Sequence, residues 1–286
     1  MVFIVLVAIV VQVITGAETA FDKFGFGFLV HQTWVPAESQ LGAASLLFGT
    51  LLTSIGSVTL ALLLGVAIGL YLSLMAPRRV ALVIGPLVEM LAAIPSVVLG
   101  LIGIYLICPF VANHVEPWLH SALGFIPVFG APMTVGNSFF SAILVLTIMV
   151  VPIIAALTRD LFATVPRELR DGAEALGATR WEMIRGVVLP TTQSGIVAAG
   201  VLGFGRAIGE AIAVSLVVGG KFGGIHPSLF LGGNTLAANI ANEYLGSFNA
   251  LHTSALYYSA AILLVLGVTT NLAAQRVSSR FKRRMG

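Results

Sequence analysis

Six long apolar runs divide this 286-residue sequence and leave little material for a soluble core. A helix needs about 20 apolar residues to cross the hydrocarbon of a bilayer, and five of the runs reach that length. Hydrophobic residues make up 58% of the chain and charged residues 9%, which excludes an ordinary soluble domain. The sequence therefore predicts an all-α, polytopic membrane protein with six transmembrane helices. The predicted spans are residues 1–16, 48–75, 80–109, 138–158, 194–218 and 254–274.

The first run is shorter than the others and begins at Met1, so a signal peptide is the alternative to a retained span. Signal peptides carry a positively charged segment before their apolar core, and this sequence has none there. The composition therefore favours a retained first span.

Lysine and arginine are concentrated in three segments between or after the apolar runs. Short loops rich in these residues stay on the cytoplasmic side of a membrane, so the clusters predict that both termini are cytoplasmic. The opposite loops hold only Lys23 and Lys221. The net charge of +3 is thus interpreted as a topology signal rather than a nucleic-acid-binding face. The clusters are Arg78 and Arg79, then Arg159, Arg167, Arg170, Arg180 and Arg185, and finally Arg276, Arg280, Lys282, Arg283 and Arg284.

The outer segments are rich in glycine, proline, asparagine and aromatic residues, which predicts ordered caps or re-entrant pieces. Within the spans, Pro86, Pro95 and Pro152 should kink or unwind the helices that contain them, because proline removes a backbone hydrogen bond. The outer segments are residues 17–47, 110–137 and 219–253.

Small residues recur at four-residue spacing, at Gly65 with Gly69 and at Gly205 with Gly209. This spacing lets helix backbones approach closely, and it is as consistent with ordinary bundle packing as with a special role.

The longest predicted cytoplasmic loop, residues 159–190, contains two helix-forming stretches. The first begins at Pro166, a favourable first-turn residue, and ends at Gly177. The second covers 178–188 and should be stopped by Pro190. The first is too polar to enter a bilayer, so we expect it to lie at the surface.

The first of these helices has a narrow apolar face. Leu169, Ala173 and Leu176 share it at spacings of four and three, while charged residues crowd the remainder. Such a helix can present its apolar side chains to a partner protein. The alternative is an amphipathic surface helix that has no partner.

The loop resembles the cytoplasmic loop of integral subunits of ABC importers, which reads Glu-Ala-Ala, three residues, Gly, nine residues and Ile-x-Leu-Pro. The spacing is kept throughout, with Asp for Glu, Gly for Ala and Val for Ile. The resemblance implies that the short helix docks on a nucleotide-binding subunit and that the glycine provides a turn that a side chain would obstruct. The matching positions are Asp171, Gly172, Ala173, Gly177, Val187, Leu189 and Pro190. No GxxxxGK[ST] phosphate-binding loop occurs in the sequence, so the ATPase would be a separate polypeptide.

Two ionisable residues, Arg206 and Glu210, lie in the apolar run "GFGRAIGEAIA". Charged side chains are costly at the centre of a membrane helix and usually face a bundle interior or a wet cavity. Four residues apart, the two would share a helix face and could form a structural salt bridge. The other hypothesis is that Arg206 binds an anion, since a guanidinium presents a fork of donors that fits tetrahedral oxyanions.

A third acid, Glu89, lies within the predicted third span. It is a candidate for the same translocation pathway as Arg206. The alternative is a carboxyl group near the cytoplasmic interface.

Four runs of sequence resemble the PstC-type permeases of phosphate-specific ABC importers. They are "EMLAAIPSVVLG", "LGFGRAIGEAIAVSLVVGG", "GGNTLAANIANE" and "LHTSALYYSA". The resemblance implies the ABC type I importer permease fold and a chain that moves inorganic phosphate inward. Alternatives are the PstA-type sister permease or a permease for sulfate, molybdate or phosphonate. Family members usually carry a basic arm before a longer first span, whereas here Met1 leads directly into the apolar run.

The resemblance also implies the organisation and partners of the chain. Residues 1–47 would form the first helix and an outer segment, 48–274 the transmembrane domain and 275–286 a basic tail. The partners would be a PstA-type permease, two ATP-binding subunits and an external phosphate-binding protein. This chain would bind no cofactor, and ATP and Mg would lie on the ATPase. Arg206, Glu210 and Glu89 would be the substrate-translocation residues.

An intramembrane enzyme and a passive channel or scaffold are the hypotheses from other classes. No HExxH or GxSxG motif occurs, and the five histidines lack the spacing of metal ligands. The lone Cys108 excludes an intramolecular disulfide. The sequence therefore favours a transport subunit that is not itself an enzyme and holds no metal.

Overall fold

The computed structural model describes residues 2–220 and 224–285, so Met1 and Lys221 lie outside the described residues. The side chains of Arg280, Lys282, Arg283 and Arg284 in the basic tail also lie outside them. The fold is helical, with one two-stranded antiparallel sheet. The first seven helices are α1 (Val2–Phe24), α2 (Ala44–Leu70), α3 (Arg78–Ala92), α4 (Ser96–Ile102), α5 (Cys108–Phe110), α6 (Glu116–Leu123) and α7 (Phe139–Ala163). The others are α8 (Arg167–Ala175), α9 (Arg180–Met183), α10 (Leu189–Ile208), α11 (Ile212–Val217), α12 (Leu236–Glu243) and α13 (Ala250–Met285). The strands are β1 (Trp34–Val35) and β2 (Gln40–Leu41).

Among the described residues, six helical stretches are long and apolar enough to cross a membrane, so the predicted all-α membrane fold with six spans is confirmed. Their bounds differ from the predicted ones most at the third and fifth spans. The six stretches are Phe3–Leu29, Ala44–Met75, Ser96–Leu123, Phe139–Ala163, Arg180–Ile208 and Ala250–Ala273.

The chain forms two compact units, each assembled from three segments. Unit 1 consists of Met1–Gly56, Pro95–Leu146 and Ala207–Gly267. Unit 2 consists of Ser57–Ile94, Thr147–Arg206 and Val268–Gly286.

The third predicted span, 80–109, is wrong because the helix breaks in its middle. Helix α3 ends at Ala92, and α4 begins at Ser96 directly after Pro95. A proline disfavours the helical conformation of the residue before it, but it fits well at the start of a new helix. The spanning stretch is therefore Ser96–Leu123, which extends into the predicted outer segment 110–137.

Four helical turns are widened to π-helical geometry, and each lies two residues before a proline. A proline inside a helix has no N–H and its ring clashes with the carbonyl four residues earlier. A π turn shifts the hydrogen-bonding pattern by one residue, which gives that ring room. Three of the turns, Gly103–Ile107, Val111–Val115 and Ile184–Val188, precede Pro109, Pro117 and Pro190, through which the helix continues. The fourth, Tyr71–Met75, ends its helix, and Pro77 lies outside it, before the start of α3.

Pro190 consequently does not stop the second loop helix, contrary to the prediction. The helix that starts at Arg180 passes through the π turn and continues as α10 to Ile208, a single stretch of 29 residues. The fifth predicted span, 194–218, is also corrected, because α10 ends at Ile208 and the short helix α11 follows after a break.

The first helix extends beyond its predicted end at residue 16. Helix α1 runs to Phe24, so the predicted outer segment 17–47 begins as helix. Ala17 and Ala20 are buried in the core of unit 1, and the Ala20 N–H donates to the Ser254 hydroxyl at 2.9 Å. Alanine has no side-chain entropy to lose in a helix, which explains why this polar-flanked stretch continues the first span.

The part of unit 1 that contains the sheet is held by buried aromatic side chains. Phe28 stacks on Tyr258 with ring centroids 4.5 Å apart, and Trp34 meets the edge of Phe28. The indole N–H of Trp34 donates to Glu243 at 2.9 Å, and the same carboxylate oxygen lies 2.8 Å from His252 Nε2. This cluster ties the sheet, α12 and α13 together.

Unit 2 contains a close approach between α2 and α7. A methyl group added at Gly65 would lie 2.7 Å from Ile154, closer than side chains approach one another. The Thr158 hydroxyl reaches across to the Gly65 carbonyl at 3.3 Å. The four-residue spacing at Gly65 therefore serves helix packing. At Gly205, by contrast, no atom of the described residues lies within 4 Å of an added methyl group.

Candidate functional site

Arg206 lies in the last turn of α10, and its side chain is exposed. The carbonyl groups at a helix C-terminus carry a partial negative charge, which stabilises a nearby cation by about 0.3–1 kcal/mol at exposed positions. The helix end is thus a favourable place for a guanidinium in an otherwise apolar stretch.

Glu210 lies beyond that helix end, in the break that precedes α11. Its side chain is 6% exposed, and its Oε1 accepts a hydrogen bond from the Ala213 N–H at 3.2 Å. A carboxylate that accepts from a first-turn amide is a helix-starting contact, which explains why α11 begins here. The prediction that Arg206 and Glu210 share one continuous helix face is therefore wrong. Each residue lies at the end of a different helix.

Glu89 is joined to Arg159 rather than isolated in the middle of a span. The Arg159 Nη2 donates to Glu89 Oε1 at 2.7 Å and to Asp160 Oδ1 at 2.9 Å. Nearly half of the Glu89 side chain is exposed, so solvent weakens this ion pair. Because Arg159 was predicted to begin the cytoplasmic loop, the contact favours the interfacial alternative for Glu89. Its role in translocation stays a prediction.

The first loop helix, α8, lies within its predicted range 166–177 and is followed by the predicted turn at Gly177. It starts after Pro166 and ends at Ala175, and the Gly177 N–H then donates to the Glu174 carbonyl at 2.9 Å. Gly177 has a φ of +86°, which L side chains rarely adopt. No atom of the described residues lies within 4 Å of an added methyl group there, so backbone conformation, not obstruction, requires the glycine.

The start of the next helix depends on Thr179 and Glu182, a pair that the sequence reasoning did not single out within the predicted range 178–188. The Glu182 N–H donates to Thr179 Oγ1 at 3.3 Å, and the Thr179 N–H donates to Glu182 Oε2 at 2.8 Å. This reciprocal capping box places the first helical residue at Arg180. The sequence signal, Thr followed three residues later by Glu, was available.

The predicted shared face of α8 is divided in the structure. Ala173 packs against a buried cluster, whereas Leu169 is 51% exposed and Leu176 is 91% exposed. Trp181, which the sequence reasoning did not single out, is 61% exposed. We call Leu169, Leu176 and Trp181 the apolar knob. The buried cluster is Phe162, Val165, Met183, Ile184 and Val188, with Val66, Leu70, Leu74, Leu189 and Ile196 packed against it.

The residues matched to the importer loop motif divide into two groups. Asp171, Gly172 and Gly177 are exposed on the α8 turn. Ala173, Val187, Leu189 and Pro190 are half-buried, and Ala173 and Leu189 pack against the buried cluster. The motif therefore contains both an exposed side and a side that anchors the loop in unit 2.

Unit 1 holds a buried acid that the sequence reasoning missed. Glu116 has no exposed surface, and its carboxylate accepts from the Met133 N–H at 3.0 Å and from the Ser138 hydroxyl at 3.1 Å. It was overlooked because it falls in the predicted outer segment 110–137, which is helical as far as Leu123. These contacts fasten the following loop to α6.

The comparison with known families gives one match across most of the chain. The family described as binding-protein-dependent transport system inner membrane component matches residues 61–283. Three similar relatives are phosphate transport system permease proteins PstC. Those of Pasteurella multocida, Haemophilus influenzae and Mesorhizobium japonicum are 37%, 35% and 34% identical. Each alignment covers all of this chain and 89%, 91% and 88% of the respective relative.

Solved structures show the same fold at low sequence identity. A bacterial alginate ABC transporter in complex with a periplasmic protein that holds an alginate pentasaccharide has a TM-score of 0.63 at 15% identity, over 93% of this chain and 88% of that one. An inward-facing MetNI methionine ABC transporter has a TM-score of 0.59 at 18% identity, over 82% and 93%. The architecture is therefore that of ABC type I importer permeases. The chain belongs to the binding-protein-dependent transport system inner membrane components, among the PstC-type permeases.

Proposed function

We propose that this chain is a transport subunit that moves inorganic phosphate into the cytoplasm, driven by ATP hydrolysis on a separate subunit. The observation that carries the proposal is the full-length similarity to permeases named for phosphate transport, at 34–37% identity. Such a subunit lies in the cell inner membrane as a multi-pass protein with cytoplasmic termini. Its partners are a PstA-type permease, two ATP-binding subunits that hold ATP and Mg²⁺, and an external phosphate-binding protein.

In this proposal Arg206 is the group that a passing oxyanion meets. Its guanidinium offers paired N–H donors, which suit two oxygens of a tetrahedral anion. The break after Ile208 supports this role, because non-helical backbone at membrane depth is tolerated where it is buried in protein or lines a wet cavity. Glu210 would accept the proton of a protonated phosphate, and Glu89 would act near the cytoplasmic end of the pathway.

The coupling step follows from the continuous helix. The apolar knob docks on an ATP-binding subunit, and movement of α8 reaches the buried cluster through Ala173. The helix that begins at Arg180 belongs to that cluster through Met183 and Ile184 and runs on to Arg206. At 1.5 Å per residue, this stretch spans about 40 Å. One stiff element therefore connects the docking loop with the proposed translocation residue.

The first test of the proposal is Arg206→Ala in the assembled transporter in proteoliposomes. We expect ATP-driven uptake of labelled phosphate to fall by more than about 100-fold, since a lost charge-assisted fork removes several kcal/mol of oxyanion binding. Arg185→Ala is the matched control, because Arg185 is exposed on the same helix. Co-purification of the partners checks assembly. Normal uptake by Arg206→Ala would reject the role of Arg206.

The same assay distinguishes phosphate from other tetrahedral oxyanions. A phosphate permease should not move sulfate, molybdate or phosphonate when these replace phosphate on the outer side with the cognate binding protein present. Faster movement of one of them would assign the chain to that oxyanion.

The second test separates coupling from transport. Gly177→Val forces a β-branched side chain into a left-handed conformation, at a cost of about 1–3 kcal/mol. We expect ATP hydrolysis to continue while phosphate uptake per ATP falls at least about fivefold. A change of about 1 kcal/mol in the free energy of the docked conformation corresponds to that factor. Gly172→Ala is the control, since Gly172 is exposed in the helix and an added methyl group meets no described atom within 4 Å. An unchanged ratio in Gly177→Val would contradict the docking role.

A further inference from the structure

Unit 2 contains a cavity of about 280 Å³ between α8, the start of α9 and the turn that follows α2. It lies within one compact unit, on the side that carries the docking loop. Its polar lining consists of Ser73, Arg167, Arg170, Asp171, Glu174 and Arg180.

Three arginines, Arg167, Arg170 and Arg180, line this cavity. Within residues 2–220 and 224–285, none of Arg167, Arg170 and Arg180 forms an ion pair within 4.0 Å. The Nε of Arg170 is buried and has no hydrogen-bond partner among the described residues. A buried donor on a charged group is unfavourable when it is left unpaired. Three arginines in one lining, none of them in an ion pair among the described residues, make the cavity suited to an anion.

The two acids in the lining determine which anion fits. Asp171 and Glu174 offer only acceptors when ionised, and they repel a fully deprotonated anion. Inorganic phosphate carries at least one hydroxyl at neutral pH, so it can accept from the arginines and donate to a carboxylate. Sulfate and the phosphodiester group of a lipid have no such proton.

We propose that this cavity binds inorganic phosphate on the docking-loop side of the membrane. A bound phosphate would join Arg167 and Arg170 on α8 to Arg180 on the next helix, across the Gly177 turn. It would hold α8 against that helix and slow the movement that coupling requires. This consequence rests on the proposed function, in which phosphate accumulates on that side, whereas the binding itself does not depend on it.

The binding is tested with the full chain in phosphatidylcholine nanodiscs and labelled inorganic phosphate. The chain carries Arg206→Gln, so that the proposed translocation residue does not contribute. We expect one phosphate per chain and no competition from sulfate at equal concentration. Adding Arg170→Gln should weaken binding at least about tenfold, because a charge-assisted hydrogen bond is lost. Adding Arg185→Gln, which removes one positive charge outside the cavity, should leave the phosphate affinity unchanged.

Thermal unfolding checks that each variant is folded. A second variant, Arg170→Lys, keeps the charge but loses the forked donor geometry. The Arg170→Lys chain should therefore also bind phosphate more weakly than the chain with Arg170. Absence of phosphate binding, equal competition by sulfate, or equal affinity of the Arg170→Gln and Arg185→Gln chains would overturn the proposal. Binding that disappears when the ATP-binding subunits are added would assign the cavity to a partner carboxylate and would also overturn it.

The consequence for transport is tested in proteoliposomes that hold the assembled transporter with Arg206 intact. Raising phosphate on the ATP side should lower the initial uptake of external labelled phosphate several-fold. Arg170→Gln should abolish this dependence, and Arg185→Gln should keep it. A lack of response in the unsubstituted transporter would overturn the feedback. If that transporter moves no phosphate at all, the proposed function fails, while the nanodisc measurement still decides the cavity.

Discussion

Two interruptions in the stretch 180–217 have opposite outcomes. At Pro190 the helix continues, because the π turn Ile184–Val188 makes room for the proline ring. After Ile208 the helix stops, although no proline is present, and Glu210 accepts from the Ala213 N–H in the first turn of the next helix. A helix can therefore accommodate a missing N–H by a local shift of its hydrogen bonds. Charged groups in an apolar stretch instead gain from a helix end, where backbone groups of opposite polarity are free.

The difference also separates two tasks within one stretch of sequence. The part that contains Pro190 remains a stiff connection between the docking loop and Arg206. At the break after Ile208 the helix-end backbone groups lie close to the exposed Arg206 in the sequence, while the Glu210 side chain is buried. A cation beside non-helical backbone suits a polar cargo.

The largest expected effect comes from removing both charges at the helix break. The test is the double variant Arg206→Met with Glu210→Leu. If the two charges serve only the structure, this apolar replacement should cost neither stability nor activity. A translocation site should instead lose phosphate uptake by more than about 100-fold, since binding of the oxyanion is lost. Uptake is measured in proteoliposomes, with partner co-purification as the check on assembly. Normal phosphate uptake by the double variant would show that the two charges at the break serve packing and not translocation.

A smaller effect is expected from Pro190→Ala. Without the proline ring the π turn can relax to an α-helix, which shifts the hydrogen-bond register by one residue and rotates Arg206 relative to the docking loop. Misplacement of this size should lower uptake by roughly 10- to 100-fold while the protein stays folded. Pro152→Ala is the control, because the helix around Pro152 has α geometry. Wild-type uptake in Pro190→Ala would show that the π turn does not depend on its proline.

The smallest effect is expected from Thr179→Ala, which removes the cap of the connecting helix. The loss should destabilise the helix start by about 1 kcal/mol, visible as a lower Tm, with uptake changed less than about twofold. Thr164→Ala is the matched control, because the exposed Thr164 hydroxyl only returns to the Leu161 carbonyl. Equal Tm values for the two variants would mean that the capping box does not contribute.

Much of the fold followed from patterns that depend on local chemistry. Run length and hydropathy predicted six spans, and the structure confirms them. Pro166 and Gly177 predicted the limits of α8, because a fixed φ favours a helix start and a positive φ requires glycine. The capping role of Thr179 could have been predicted in the same way, from the Glu that follows it three residues later.

Other features depended on contacts between residues far apart in the sequence. The Arg159–Glu89 pair joins α7 to α3, and the Glu116 carboxylate holds a residue 17 positions away. Charge and hydropathy along one chain do not say which helices pack side by side. The division of the α8 face between Ala173 and Leu176 has the same origin, since only the buried cluster selects which apolar residue is covered.

The amino-acid sequence alone shows that the chain crosses a membrane, that its loop matches an importer motif and that two ionisable residues lie in an apolar run. The packed structure was needed to show that a helix continues through Pro190, that it ends at Ile208 and that three arginines line one cavity. Composition and spacing act over only one or two helical turns. Whether a proline, a charge or an exposed leucine is accommodated depends on the groups that the fold brings next to it.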